Sequence, residues 1–293
     1  MFSCVRHIAL ATYAKLPGLN DDDRLLVPAL GALGLTAVPA VWDSPDVCWE
    51  EFGAVMVRSC WDYHHRLAEF LAWVGRLEQA GVAVCNPPSL LRWNAHKQYL
   101  RDLAVRGVPI VPTRWLARGE RVELAELLRI AEWRDAVVKP AVSASASGTW
   151  RTSAAGATAD QPRLDELLRA GDVMVQPFVR EVRDPGEWSL VFLGGRFSHA
   201  VLKRPGGGDY RVQWEFGGSA VAMAPPRTLL ADAERVMAAA PGKPVYARVD
   251  GVERDGHLVL MELELIEPHL FLGWDAGAAG RLATAFDTAI TRP

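Results

Sequence analysis

The chain has 293 residues, of which half are hydrophobic and 23% charged, with Lys+Arg 32 against Asp+Glu 35. That balance excludes a disordered or coiled-coil protein and is enough for two or three packed lobes sharing continuous cores. The formal net charge of -3 leaves no global basic field to draw nucleic acid or an anionic membrane, so neither is an expected partner.

The start, Met1-Phe2-Ser3-Cys4-Val5-Arg6-His7, has no basic region followed by a long apolar run, and no later segment approaches the roughly 18 apolar residues of a span. A soluble, cytoplasmic protein is expected. Cys4, Cys48, Cys60 and Cys85 are scattered, with none of the close pairs of a zinc or redox motif. His64 and His65 are adjacent, so on a regular element they point in different directions and do not share a metal.

In chain order, His7 to Tyr13 reads as a strand, Asp21-Asp22-Asp23 precedes an apolar-rich helix ending near Gly34, and Ala37 to Val41 is the next strand. Ala54 to Arg58, a helix over Leu67 to Ala80 and Val82 to Cys85 continue the alternation, which predicts a parallel sheet covered by helices. Asn86-Pro87-Pro88-Ser89 breaks the pattern, and a helix over Ala95 to Arg106 is expected to open a second lobe. From Glu187 strands dominate: Trp188 to Leu193, Arg196 to Lys203, Val245 to Asp250 and Leu258 to Ile266, with Gly194-Gly195 and Asp255-Gly256 as hairpin turns. The predicted division is 1–88, 89–177 and 178–293, an α/β lobe followed by α+β lobes.

Two common nucleotide signatures are missing. After the first strand the chain reads Ala11-Thr12-Tyr13-Ala14-Lys15 rather than a dinucleotide glycine fingerprint, and no loop ends in Gly-Lys-Ser/Thr. A nucleotide site must be built in another way.

The most informative segment is Leu258-Val-Leu-Met-Glu-Leu-Glu-Leu-Ile-Glu-Pro268. Strand alternation puts Glu262 and Glu264 on one side and Met261, Leu263 and Leu265 on the other. Two carboxylates in an apolar setting are costly without a cation, and oxygen-only ligands favour magnesium. Asp250 supplies a third carboxylate if a three-residue hairpin loop sets it opposite Glu262. A strict two-residue turn sets it opposite Met261 and spoils the cluster. A solvated edge strand of alternating charges is the competing reading.

Ala136-Val137-Val138-Lys139-Pro140 reads as a buried strand ending in a lysine, followed by the small-residue loop Ala141 to Thr149. Such a loop offers N–H groups and hydroxyls to phosphates, although a plain surface connection reads the same way. Val173-Met-Val-Gln-Pro-Phe-Val179 is an apolar strand whose end can present backbone groups to a base.

Taken in order, these pieces resemble the ATP-grasp superfamily across almost the whole chain. The resemblance implies an ATP-grasp fold: an N-terminal α/β (pre-ATP-grasp) lobe and two subdomains clamping ATP. It implies that Lys97 and Lys139 hold the phosphates, that Ser143 to Gly148, with Ser145 and Ser147, form a lid, and that Gln176, Phe178 and Val179 form the adenine hinge. Glu187 is similar to the residue that binds the ribose. Arg248 is similar to the arginine that stabilises acyl-phosphate transfer, with Lys203 or Arg211 assisting. Asp250, Glu262 and Glu264 are similar to the ligands of two Mg2+ ions, although many members have Asn where Glu264 stands. Lys203, Arg204 and Arg211 read equally well as a solvated basic hairpin.

Within that superfamily, Arg58-Ser-Cys-Trp-Asp-Tyr63 and the stretch Phe197 to Gln213 resemble the subgroup of cyclo-ligases that close D-cycloserine from O-ureido-D-serine. This implies a small amino-acid-like substrate held by Arg58, Asp62, Tyr63 and His269, with Trp61 and Tyr63 alternatively mere packing residues. An intermolecular carboxylate–amine ligase, a non-catalytic nucleotide-binding protein and a nucleotide-free α/β binding module stay open. A homodimer is a further open expectation.

Overall fold

A computed structural model describes residues 7–144, 146–206 and 217–291, so Arg211 and Ser145 lie outside the described residues. The first lobe comprises β1 (His7–Thr12), α1 (Asp21–Arg24), α2 (Leu26–Gly31), β2 (Thr36–Val41), β3 (Ala54–Ser59), α3 (Leu67–Gln79) and β4 (Ala83–Cys85). Its four strands are parallel in the order β2-β1-β3-β4. Every residue of β3 is buried, as expected of a strand covered on both faces. The Asp triplet does not precede the first helix but forms it: the Asn20 side chain caps α1 by accepting from the Asp23 N–H at 2.8 Å. A break at Leu25 separates α1 from α2.

The next segment forms two short helices, α4 (Pro88–Asn94) and α5 (Tyr99–Val105), instead of one. Their apolar residues Leu90, Tyr99, Leu100 and Leu103 join a core drawn mostly from the last sheet, with Phe192, Leu260 and Leu263, and reaching Met174 of the middle one. The middle sheet is made of β5 (Arg114–Leu116), β6 (Asp135–Pro140), β7 (Trp150–Ser153) and β8 (Val173–Pro177), with α6 (Leu124–Ile130) and α7 (Ala157–Ala170) packed beside it. It is antiparallel, in the order β5-β8-β6-β7.

The last sheet contains β9 (Glu187–Leu193), β10 (Arg196–Arg204), β11 (Ser219–Ala222), then, after α8 (Arg227–Ala239), β12 (Tyr246–Arg254) and β13 (His257–Glu264). Its order is β11-β10-β9-β12-β13, all antiparallel. Both expected hairpin turns occur. Gly194 and Gly195 have φ 59° and 75°, and Asp255 and Gly256 have φ 53° and 78°, the positive pair that a tight two-residue turn requires. The closing helix α9 (Ala278–Thr291) returns to the first lobe: Leu282 and Phe286 share a core with Ile8, Leu26 and Leu30.

The outer edge of β13 is covered. Asn94 donates to Leu263 O at 2.8 Å and accepts from Leu265 N at 2.8 Å, Tyr99 Oη accepts from Leu263 N at 3.1 Å, and Asn86 donates to Leu265 O at 2.7 Å. Capping an edge in this way satisfies its backbone groups and fixes the strand that carries the glutamates. Among the described residues no helix is long and apolar enough to cross a membrane.

Candidate active site

The β12–β13 hairpin decides whether the carboxylates meet. Its turn is the strict two-residue form, with Arg254 opposite His257, the case that ought to place Asp250 against Met261. It does not, because the register shifts between Gly251 and Asp250. Gly251 faces Leu260, Asp250 faces Glu262 and Arg248 faces Glu264, leaving Met261 as the extra residue of a bulge. A Cβ on Gly251 would sit 2.6 Å from Val259 O and 2.9 Å from Leu258 Cδ1, so the close approach at this point requires glycine.

Asp250, Glu262 and Glu264 thus line one cavity of roughly 330 Å3 between the sheets, together with Lys97, Lys139, Glu187, Lys203 and Arg248. Most of the charges are paired. Lys97 Nζ donates to Glu262 Oε1 at 2.5 Å and to Ser143 O at 3.0 Å. Lys203 lies opposite Glu187 across the β9–β10 ladder and donates to it at 2.5 Å, with Asp250 Oδ1 3.7 Å away. Arg248 grips Asp250 through Nε at 3.0 Å and Nη2 at 2.8 Å, and also donates to Glu264. Ser189, opposite Asp250 on β9, donates to the same carboxylate. Lys139 has no ion pair among the described residues.

These pairings set the protonation states. Burial works to raise the Asp250 carboxyl, but Arg248 and Lys203 outweigh it and hold it down to about 2. Burial above all pushes Glu264 up to about 7 against the pull of Arg248, with Asp250 and Glu262 adding to the rise. Burial opposes ionisation of Glu262 too, yet Lys97 and Lys139 keep it below its ordinary value. Burial pushes Lys139 down to about 8.

The donor set is all oxygen and fits a hard divalent ion rather than zinc. Among the described residues no three His, Cys, Asp or Glu side chains converge on one point; Lys97 is bonded to Glu262, and Arg248 to Asp250 and Glu264.

Of the other expected residues, Ser143, Gln176, Phe178 and Val179 line the cavity, whereas Ser147 and Gly148 do not. Gln176 is anchored by donating to Thr113 Oγ1 at 2.8 Å. Tyr63 and His269 also line the cavity.

Arg58 and Asp62 do not reach it. Arg58 is 1% exposed, pairs with Asp23 at 2.9 Å, donates to Pro268 O at 2.7 Å and lies over the Tyr246 ring, so it ties the first lobe to the last. Asp62 is occupied by Trp42 Nε1 at 2.8 Å and Arg66 Nη2 at 2.9 Å.

Several contributors escaped sequence reading. Glu267 lines the cavity, Asn94 fixes the strand edge, Asp23 holds Arg58, and Gly251 sets the register. Only Gly251, a glycine inside a strand pattern, carried a local signal.

Solved structures share the fold. D-alanine–D-alanine ligase from Bacillus anthracis in complex with ATP superposes with a TM-score of 0.71 at 16% identity, covering 98% of both chains, a likeness of fold. The fold is that of the ATP-grasp ligases.

The cycloserine biosynthesis protein DcsG of Streptomyces lavendulae is 33% identical over 290 residues, 95% of this chain and 97% of that protein. The crystal structure of D-cycloserine synthetase DcsG matches with a TM-score of 0.88 at 32% identity, covering 97% of this chain and 99% of that one. The family model for the N-terminal domain of D-cycloserine synthetase DcsG matches residues 8–86. The chain belongs to the DcsG family of ATP-grasp ligases.

Proposed function

We propose that this ligase closes the ring of D-cycloserine from O-ureido-D-serine, using ATP and two Mg2+ ions. The observation that carries the reading is the bulged register that sets Asp250 against Glu262 and Arg248 against Glu264 in one cavity. Lys97 and Lys139 hold ATP phosphates, Glu187 the ribose, and the backbone of Gln176 to Val179 the adenine edge, with Ser143 at the start of the lid. Bound magnesium, held by Asp250, Glu262 and Glu264, would neutralise the charge of the phosphates.

When phosphates enter, Lys97 and Arg248 exchange their carboxylate partners for phosphate oxygens. Their positions are already fixed by Ser143 O and His269 O, so little reorganisation is needed. Arg248 and Lys203 stabilise the phosphoryl group as the substrate carboxylate takes it from ATP, giving an acyl phosphate and ADP. The aminooxy nitrogen then attacks the acyl carbon and phosphate leaves. With one water consumed, the ureido carbonyl departs as carbon dioxide and ammonia. Holding nucleophile and acyl carbon on one short substrate replaces a bimolecular step by an intramolecular one.

The three-lobe division near residues 88 and 177 belongs to this reading, with the nucleotide clamped between the second and third lobes. A cytoplasmic setting, a homodimer and the absence of nucleic-acid partners belong to it as well. The test is ADP release from Mg-ATP with O-ureido-D-serine, following ring product by mass and running Glu262→Gln alongside. Substrate-dependent ADP and cycloserine, lost in the variant, is the result expected. ADP release only with a different acid and amine overturns the substrate assignment.

A further inference from the structure

Glu267 stands apart from the other acidic groups of the cavity. Glu187, Asp250, Glu262 and Glu264 each have a lysine or arginine within ion-pair distance, whereas Glu267, which also lines the cavity, has no cationic partner among the described residues. A carboxyl group left unpaired in a part-buried site is costly unless a ligand completes it.

Its backbone is held with unusual completeness. Four consecutive carbonyls are hydrogen-bonded by side chains from separate elements: Glu267 O by Trp61 Nε1 at 3.1 Å, Pro268 O by Arg58 Nη2 at 2.7 Å, His269 O by Arg248 Nη1 at 2.9 Å, and Leu270 O by His199 Nε2 at 2.9 Å. The loop is therefore a fixed platform.

We propose that Glu267 receives the α-ammonium group of the amino-acid substrate. This rests on the reading that the cavity binds a small amino acid whose carboxylate is phosphorylated. In an α-amino acid the nitrogen is two bonds from the carboxyl carbon, so its receiver must lie beside the group that stabilises phosphoryl transfer. Glu267 meets that condition, because Arg248 is bonded to the carbonyl two residues along the same loop. It also lies beside the first lobe, its carbonyl bonded by Trp61, which lines the same cavity.

His269 is unsuited to the task. Its Nδ1 accepts from Phe271 N at 3.3 Å, leaving Nε2–H as a donor, which suits an anionic or neutral oxygen and not an ammonium. Burial pushes the Glu267 carboxyl well above the usual carboxylate range, so an arriving ammonium expels its proton to solvent.

The test is calorimetric binding of O-ureido-D-serine and of its des-amino counterpart, 3-(ureidooxy)propionate, to full-length protein carrying Mg2+ and a non-hydrolysable ATP analogue. Wild type should prefer the amino acid by roughly tenfold or more, the scale of a charge-assisted hydrogen bond. Glu267→Gln should erase that preference while keeping its affinity for the ATP analogue, which also reports that the variant is folded. A preference retained by Glu267→Gln, or absent from wild type, overturns the proposal. If the ligase turns over another amino acid instead, the substrate assignment alone fails, and the same comparison with that amino acid and its des-amino form decides the role of Glu267.

Discussion

Asp250 faces Glu262 across the hairpin only because Met261 is bulged out of the ladder. The two-residue Asp255-Gly256 turn on its own puts Asp250 against a methionine, so one extra residue converts a strand pair that would scatter its charges into a site that gathers them.

Gly251→Ala should therefore damage structure and function together. The added Cβ meets backbone at Val259 O, which cannot swing away, so a stability loss of about 1–3 kcal/mol is expected. Urea denaturation measures it. ATP-analogue affinity should fall in the same variant, and an unchanged midpoint would show that the hairpin relaxes without cost.

Arg58 and Asp62 should separate cleanly from the substrate-binding residues. Arg58→Ala leaves Asp23 buried without its cation and should cost about 3–5 kcal/mol in denaturant unfolding. Asp62 is part-exposed, and Asp62→Asn should cost less than about 1 kcal/mol. The KM for the amino-acid substrate should stay within twofold, roughly, in Asp62→Asn, since a group that does not touch the ligand leaves binding unchanged.

Lys139 sets an alkaline limit. Its ammonium must be charged to hold phosphate, and burial pushes it down to about 8, so kcat/KM for ATP should fall as pH rises through about 8. The linkage runs the other way for stability. The folded state releases this proton more readily than the unfolded chain, so below about 8 the buried charge costs stability, and that cost fades as pH rises toward the ordinary lysine value. Lys139→Met should accordingly stabilise the ligand-free protein at pH 7 by about 1–2 kcal/mol while abolishing tight ATP binding. Thermal unfolding with and without the ATP analogue checks both halves.

Much of this was legible in the sequence where one residue carries its own signal. The Asp-Gly turn, the alternating Glu262 and Glu264, and the strand ending in Lys139 follow from period and turn chemistry. The bulge was not legible, since a one-residue shift leaves composition and alternation unchanged and only Gly251 hints at it. The pairing of Arg58 with Asp23 was not legible either, since its partner stands 35 positions away on another element. Glu267 was passed over because it follows the strand, where no alternation assigns it a face. The segment after Pro88 read as the start of a new lobe, yet its apolar faces complete the core beneath β13. Its partners are more than a hundred positions downstream, a pairing that local patterns do not encode.

The most direct test of carboxyl activation is to supply substrate with its carboxylate labelled with 18O and analyse the phosphate released. Passage through an acyl phosphate carries one labelled oxygen from the carboxylate into inorganic phosphate, and Glu262→Gln should release none above background. Unlabelled phosphate alongside full conversion to ring product would contradict the account.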